Sequence, residues 1–247
     1  MKLNEHEALL TPKVLLVPYS EHHVLAYHDW MQDPELQTLT ASEPLTLPEE
    51  YAMQRSWRTD ADKLTFIVCA APSPIANNPI KAITATKEDA PESMIGDVNL
   101  FLSPSDDDDE LGEDNDESKE QRAPIAKSVI GEMEIMIASK THRGCGLGKE
   151  VLNAFLWYVI QSLDDIMNEY QSGNAVGSEK MRMQYLRVKI DKDNARSIKL
   201  FESVGFKRVT EQPNYFGELE LRWAIEESSF KDLRGRLGEG VQRLPFS

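Results

Sequence analysis

The stretch from Val129 to Ile160 restricts this chain more than any other. Val129–Ile137 (VIGEMEIMI) alternates about its centre, with Met133, Ile135 and Ile137 on one face and Glu132, Glu134 and Met136 on the other. A glycine-rich turn follows, Arg143-Gly144-Cys145-Gly146-Leu147-Gly148-Lys149. Helical spacing then runs through Val151, Leu152, Phe155, Leu156, Val159 and Ile160. Glycines in such a turn let the backbone approach a ligand and aim several N–H groups at one point. The N-terminus of the next helix adds about half a positive charge. Strand, turn and helix together predict a phosphate cradle.

The rest of the chain supplies a sheet for that strand to join. Val14–Pro18 is a short apolar run ended by its proline. Ser20 precedes a helical pattern through Val24, Leu25, Tyr27, His28 and Met31, and Pro48 sits at the favoured first position of a second helix, from Glu49 to about Arg58. Between them Thr38–Pro48 reads as a loop. Leu64–Ala70 and Ile95–Leu102 are strands, with an irregular Pro- and Asn-rich connection at 72–91. After the helix that opens at Val151 comes a polar loop at 171–178, then the strand Tyr185–Ile190. Asp193-Asn194 opens a helix through Ile198, Leu200, Phe201 and Val204, stopped by Gly205. Phe206–Thr210 and Leu219–Ile225 are the last strands. This order predicts one mixed α/β domain over residues 1–225 around a central sheet, followed by a charged tail at 226–247.

Charge excludes some partners. The chain has 42 acidic and 27 basic residues, a net charge of −15, which argues against unaided binding to nucleic acid or an anionic membrane. Over half of that excess lies in Ser103–Arg122 (SPSDDDDELGEDNDESKEQR), which is too poor in apolar residues to offset its ordering entropy. Residues 103–125 are therefore expected to be a disordered acidic insertion between two strands. Cys69 and Cys145 are the two cysteines, too few for a disulfide framework. With no membrane-spanning run and no apolar leader in MKLNEHEALLTPK, an intracellular, cytoplasmic protein is expected, the nucleus being compatible.

Three phosphate motifs compete for the turn. A P-loop fails because position 143 is arginine and Gly148-Lys149 is followed by Glu150. A dinucleotide G-x-G-x-x-G fails because its last slot falls on Lys149 or Val151. What fits is R-x-x-G-x-G, on Arg143, Gly146 and Gly148. A second block, NARSIKLFESVGF from Asn194 to Phe206, follows after one strand. Together they resemble the pyrophosphate signature and the N-x-x-S-x-x-L-F/Y-E-x-x-G-F helix of the GNAT superfamily of N-acetyltransferases. Leu39–Leu47, Glu50–Gln54, Ala61–Val68 and Ile95–Leu102 are further similar to the N-acetyltransferase 9 subfamily.

The resemblance implies a GNAT-like mixed sheet of about six to seven strands, flanked by helices and splayed between 129–137 and 185–190. It implies acetyl-CoA as co-substrate, with the thioester along Met136, Ile137 and Ala138. The pyrophosphate then falls on Arg143, Gly144, Cys145, Gly146, Leu147, Gly148 and Lys149, with Asn194 and Ser197 nearby. The acceptor is expected to be a protein N-terminal amine, and the subfamily has been linked to tubulin N-termini. A polyamine-like small amine is the rival substrate, and a non-catalytic acetyl-CoA-binding module that docks a basic partner on the acidic insertion is the rival class. Glu132 is the first candidate base, at a spacing from Arg143 used by some superfamily members, and Glu134, on the same strand face, is the second. Phe201 stands where many members carry an acid tyrosine and cannot donate a proton; Tyr215 is the substitute to weigh against a plain structural role. His142 could touch a phosphate. His22, His23 and His28 lack cysteines at zinc-ligand spacing, and no metal is expected.

Overall fold

Nine strands form one sheet in the computed structural model, which describes residues 1–72, 80–105, 128–174, 181–225 and 240–247. The strands are β1 (Glu7–Leu10), β2 (Val14–Pro18), β3 (Lys63–Ala70), β4 (Met94–Pro104), β5 (Ser128–Ile137), β6 (Arg182–Asp191), β7 (Lys207–Arg208), β8 (Glu218–Ala224) and β9 (Gln242–Pro245). Their order is β7-β8-β6-β5-β4-β3-β2-β1-β9. Every neighbouring pair is antiparallel except β5 with β6.

Six helices cover the two faces. On one side lie α1 (Val24–Trp30), α2 (Pro34–Leu39) and α3 (Leu47–Thr59); on the other lie α4 (Leu147–Gln161), α5 (Leu163–Gly173) and α6 (Ala195–Ser203). Helix α4 is the centre of the larger core. Its Val151, Leu152, Phe155, Leu156, Tyr158 and Val159 are buried, and Phe66 of β3 meets Phe155 and Tyr158 edge-on at 6.0 and 5.2 Å. A helix apolar around most of its girth must be covered on several sides. The sheet, α5 (through Ile166, Met167 and Tyr170) and α6 (through Ile198 and Phe201) cover it.

The structure corrects several boundaries. The sheet has nine strands rather than six or seven, because two short ones, β1 and β9, carry too few residues to show a period. One of these, β9, lies in the stretch read as a charged tail. It pairs with β1 from Glu7–Pro245 to Leu10–Gln242, and Arg243 engages Glu7 and stacks over the Tyr158 ring. Strand β4 runs on to Pro104, and Ser105 is buried, so the acidic insertion starts later than 103; residues 106–127 lie outside those described. Asp33-Pro34, left unassigned by the sequence reading, is an N-cap and N1: Asp33 accepts from the Glu35 N–H at 2.9 Å and opens α2, whose last residues enter the stretch read as a loop. Helix α5 likewise takes up residues left unassigned and the start of the polar loop.

One irregularity prepares the site. The β3–β4 register slips between Val68 and Cys69, which pair with Gly96 and Met94 and leave Ile95 as the extra residue. At this bulge the Met136 carbonyl of β5 comes so close to Gly96 that a β-carbon there would stand 1.9 Å from the oxygen. Glycine is required by that approach. Gly96→Ala should therefore destabilise the fold by about 3 kcal/mol, the upper range for overpacking against backbone. Urea denaturation checks this; a midpoint within error of the parent would show that the strand relaxes freely.

Candidate active site

Strands β5 and β6 pair in parallel from Ser128–Arg182 to Glu132–Arg187. The ladder stops there, although β5 continues to Ile137 and β6 to Asp191. The sheet thus opens between two strands, as the resemblance implied. A cavity of about 440 Å³ lies against the far end of β5. Its walls are Ile135–Ile137 of β5, the turn Arg143–Lys149 at the start of α4, Asn194–Leu200 of α6, and Leu36, Leu39 and Thr40 at α2.

The turn has the form of an anion cradle. Gly144 and Gly146 both lie at φ +79°, in the left-handed region that side chains other than glycine rarely adopt. Gly146 is the N-cap of α4 and supplies no side-chain cap, so the first N–H groups of the helix face the cavity without one. Lys149 and Arg196, both exposed, line the same space. Arg143 does something different. Its Nε donates to the Ile137 carbonyl at 2.9 Å, Nη2 to the Ala138 carbonyl at 3.3 Å and Nη1 to Glu35 at 3.1 Å. It fastens the end of β5 to the turn and to α2, and its charge is shared with a carboxylate. Lys140 repeats the link, 2.9 Å from Asp33 and 3.5 Å from Glu35. At α6, Asn194 caps the helix by accepting from the Ser197 N–H at 3.1 Å.

Most of the residues expected at the cofactor meet here: Met136, Ile137, Arg143, Gly144, Gly146, Leu147, Gly148, Lys149, Asn194 and Ser197 all line the cavity. Ala138 is buried behind it, and the Cys145 thiol is exposed, 3.7 Å from the Arg143 carbonyl. Sequence reasoning missed Glu35, Leu36, Leu39, Thr40, Arg196 and Leu200. Those on α2 were signalled only by Asp33-Pro34. Arg196 and Leu200 sat inside the second block, but nothing in their spacing said which side of the helix faces the turn. His142 lines the cavity, with Nδ1 2.7 Å from the Ser139 hydroxyl.

The two candidate bases fare differently. Register places Glu132 opposite Phe101 and Glu134 opposite Asn99, both on the face covered by α1–α3. Glu132 is held by Arg187 at 2.7 Å and Lys189 at 3.7 Å. Glu134 makes no ion pair among the described residues. Glu134 as a residue is exposed to solvent, yet protein packed around its carboxyl takes away part of its hydration, and the negative charges of Asp97 and Glu132 add to that. Together they push its pKa up to about 7. Of the two candidates, Glu134 is therefore the one without an ion pair among the described residues. Tyr215, the substitute weighed for the acid, is 96% exposed at the turn before β8, and Phe201 is buried against Phe206.

His22 and His23 do meet a carboxylate, Asp89, at 2.9 and 3.1 Å. The Ser20 N–H donates to His23 Nδ1 at 3.0 Å, so the neutral ring carries its proton on Nε2 and donates it to Asp89. A metal would need that same nitrogen bare. The cluster pins the start of α1 to the 84–89 turn and leaves its ligand atoms engaged with one another.

Comparisons with known proteins agree with this geometry. Residues 13–207 match the family described as Acetyltransferase (GNAT) domain. The N-acetyltransferase 9-like protein of Schizosaccharomyces pombe is 40% identical over 226 residues, covering 90% of this chain and 97% of that one. The human protein named alpha/beta-tubulin-N-acetyltransferase 9 is 38% identical over 247 residues, covering 100% and 96%. Among solved structures, spermidine N-acetyltransferase from Vibrio cholerae, in complex with CoA and spermine, superimposes with a TM-score of 0.54 at 15% identity, covering 92% of this chain and 99% of that one; it shares the fold. Cleft, turn and relatives coincide: this chain belongs to the GNAT acetyltransferases, in the N-acetyltransferase 9 branch.

Proposed function

We propose that the chain moves the acetyl group of acetyl-CoA to the N-terminal α-amine of a protein, with Glu134 as general base. The observation that carries this reading is the Glu134 carboxyl, without an ion pair among the described residues, on the strand that forms one wall of the cavity, its pKa pushed up to about 7. The glycine turn, with its uncapped helix N-terminus and with Lys149 and Arg196, suits the pyrophosphate. Leu36, Leu39 and Leu200 suit the pantetheine arm, and the edge of β5 offers extended backbone beside it. When bound, acetyl-CoA supplies a thioester carbonyl open to attack. Glu134 takes a proton from the acceptor ammonium and leaves a neutral amine to attack it. With Phe201 buried and Tyr215 far out in solvent, water is left to protonate the departing thiolate.

Proton arithmetic favours the α-amine. Its unperturbed pKa is about 7.7–8.0, against about 10.4 for lysine, so near pH 7.4 roughly a quarter of α-amines are neutral and about one lysine in a thousand. A base near 7 is well matched to the first and poorly to the second. Relatives in human, mouse and Drosophila melanogaster are named alpha/beta-tubulin-N-acetyltransferase 9, which supports tubulin as the acceptor here. No helix among the described residues is long and apolar enough to cross a membrane, and a cytoplasmic location is part of the same proposal.

The cofactor assignment is checked by Gly146→Glu and Gly148→Glu. The first puts a side chain at a positive φ, and both put negative charge in the cradle. Calorimetry should show no acetyl-CoA binding to the folded variants, and an unchanged Kd would remove the turn as the phosphate site.

Glu134→Gln should lower kcat by about 10²–10³, with the loss shrinking towards pH 9 as solvent supplies neutral amine, while Glu132→Gln should cost less. Wild-type kcat at pH 7 in the Glu134 variant would sink the base assignment. Preference for internal lysines over free N-termini in an acetylated-peptide screen would overturn the acceptor.

Stability reports the same carboxyl without turnover. Its pKa lies near 7 folded and about 4.3 unfolded, so its ionisation opposes folding as pH climbs between those values. Relative to the parent, Glu134→Gln should gain thermal stability between pH 5 and pH 8. An equal Tm difference at both would mean that the carboxyl titrates normally.

A further inference from the structure

Beneath Glu134, on the face of the sheet covered by α1 and α3, lies a carboxylate that the transfer step does not use. Asp97 of β4 is 2% exposed. It stands opposite Met136, while its neighbour on that face, Asn99, stands opposite Glu134. Asp97 and Glu134 are thus diagonal neighbours across adjacent strands, a relation that places Cα atoms about 7–8 Å apart with side chains on one side. The Tyr27 hydroxyl donates to Asp97 Oδ2 at 3.0 Å, and the Asn99 amide donates to the same oxygen at 3.1 Å. Asp97 Oδ1 has no partner among the described residues.

On the strands flanking β4 and β5 the cations of this face are engaged elsewhere: Arg187 and Lys189 of β6 with Glu132, Lys63 of β3 with Asp60 and Asp62. From α1 and the segment before it come Tyr19, Tyr27 and His28; from α3 come Glu50 and Tyr51. His28 stands 3.9 Å from Glu50, which leaves none of these cationic towards Asp97. Burial of a carboxylate without a counter-charge costs far more than its hydrogen bonds return, so a purely structural role would be better filled by an amide.

We propose that Asp97 is a positioning residue for acetyl transfer, a carboxylate clamped by Tyr27 and Asn99 whose charge is presented to Glu134 and to no cation. The inference rests on Glu134 being the base and adds what sets its working pH. Burial lifts Asp97 to about 6 against the pull of Asn99 and Tyr27. Its charge is the largest contribution to the rise at Glu134 after burial itself, ahead of that of Glu132. The two carboxyls therefore titrate as a coupled pair around pH 6–7. Removing the Asp97 charge makes the Glu134 carboxylate easier to form, so Glu134 should titrate at lower pH. At an effective dielectric constant near 20 and this separation, Coulomb's law sets an upper limit of roughly one and a half units on that shift.

The test follows the ¹³C resonance of the Glu134 carboxyl in the free protein, assigned with Glu134→Gln, together with the lower limb of kcat against pH. In the nearly isosteric Asp97→Asn both midpoints should fall together. Tyr27→Phe removes a donor that favours ionised Asp97, so it should move both midpoints the same way by less, and it keeps the test open if Asp97→Asn fails to fold. An unmoved Glu134 resonance in these variants overturns the inference and leaves the base assignment standing. A resonance that moves while the kcat limb stays put also overturns it, because Asp97 then has no bearing on turnover. Full activity in Glu134→Gln at pH 7 overturns the base assignment itself, and the role proposed for Asp97 falls with it.

Discussion

Two parallel strands that pair as far as Glu132 and Arg187 and then separate are the constraint around which this molecule is arranged. Backbone N–H and C=O groups buried without partners are costly, so a sheet does not open in its middle without compensation elsewhere. Here β5 keeps its antiparallel ladder with β4 to the end, and β6 keeps its ladder with β8. Each strand is held from its outer side while the inner edges part. Arg143 secures the free end by taking the carbonyls of Ile137 and Ala138. The chain returns from β5 to β6 through α4 and α5, which sets the N-terminus of α4 where the strands diverge. An extended ligand with an anionic end is what that arrangement accommodates.

Charge is divided along the cleft. Lys149 and Arg196 stand at the glycine turn, while Glu134, Asp97 and Glu132 stand deeper along the strands. Ion pairs of Glu35 and Asp33 with Arg143 and Lys140 join α2 to the phosphate turn. Exposed pairs of this kind contribute little to stability, about 0–1 kcal/mol each. Their effect is geometric: they hold Leu36 and Leu39 as one wall of the cavity.

The regular elements were readable wherever a period had room to repeat. Val129–Ile137 alternates through its centre, and 147–161 repeats helically, so both appeared with their faces correct. Strands β1 and β9, which went unread, have four residues each, and β9 carries Arg243, whose partners Glu7 and Tyr158 are far away in sequence. The glycine turn was legible because its chemistry is local: left-handed backbone at Gly144 and Gly146 demands glycine whatever surrounds it. The ranking of Glu132 over Glu134 was not, because it turns on which of them meets Arg187.

Local residues alone specified the α/β class, the glycine turn before α4 and the strand face that carries Glu132, Glu134 and Met136. Each is decided by residues near one another in the chain, through period and backbone conformation. Only the tertiary structure decided which of the two glutamates is free. Arg187 reaches Glu132 because β6 pairs with β5 up to that residue and no further, and Asp97 reaches the neighbourhood of Glu134 because β4 lies on the other side. Long-range register sets those distances, and at separations of a few ångströms they decide whether a carboxyl is neutralised by an arginine or made more basic by another carboxyl.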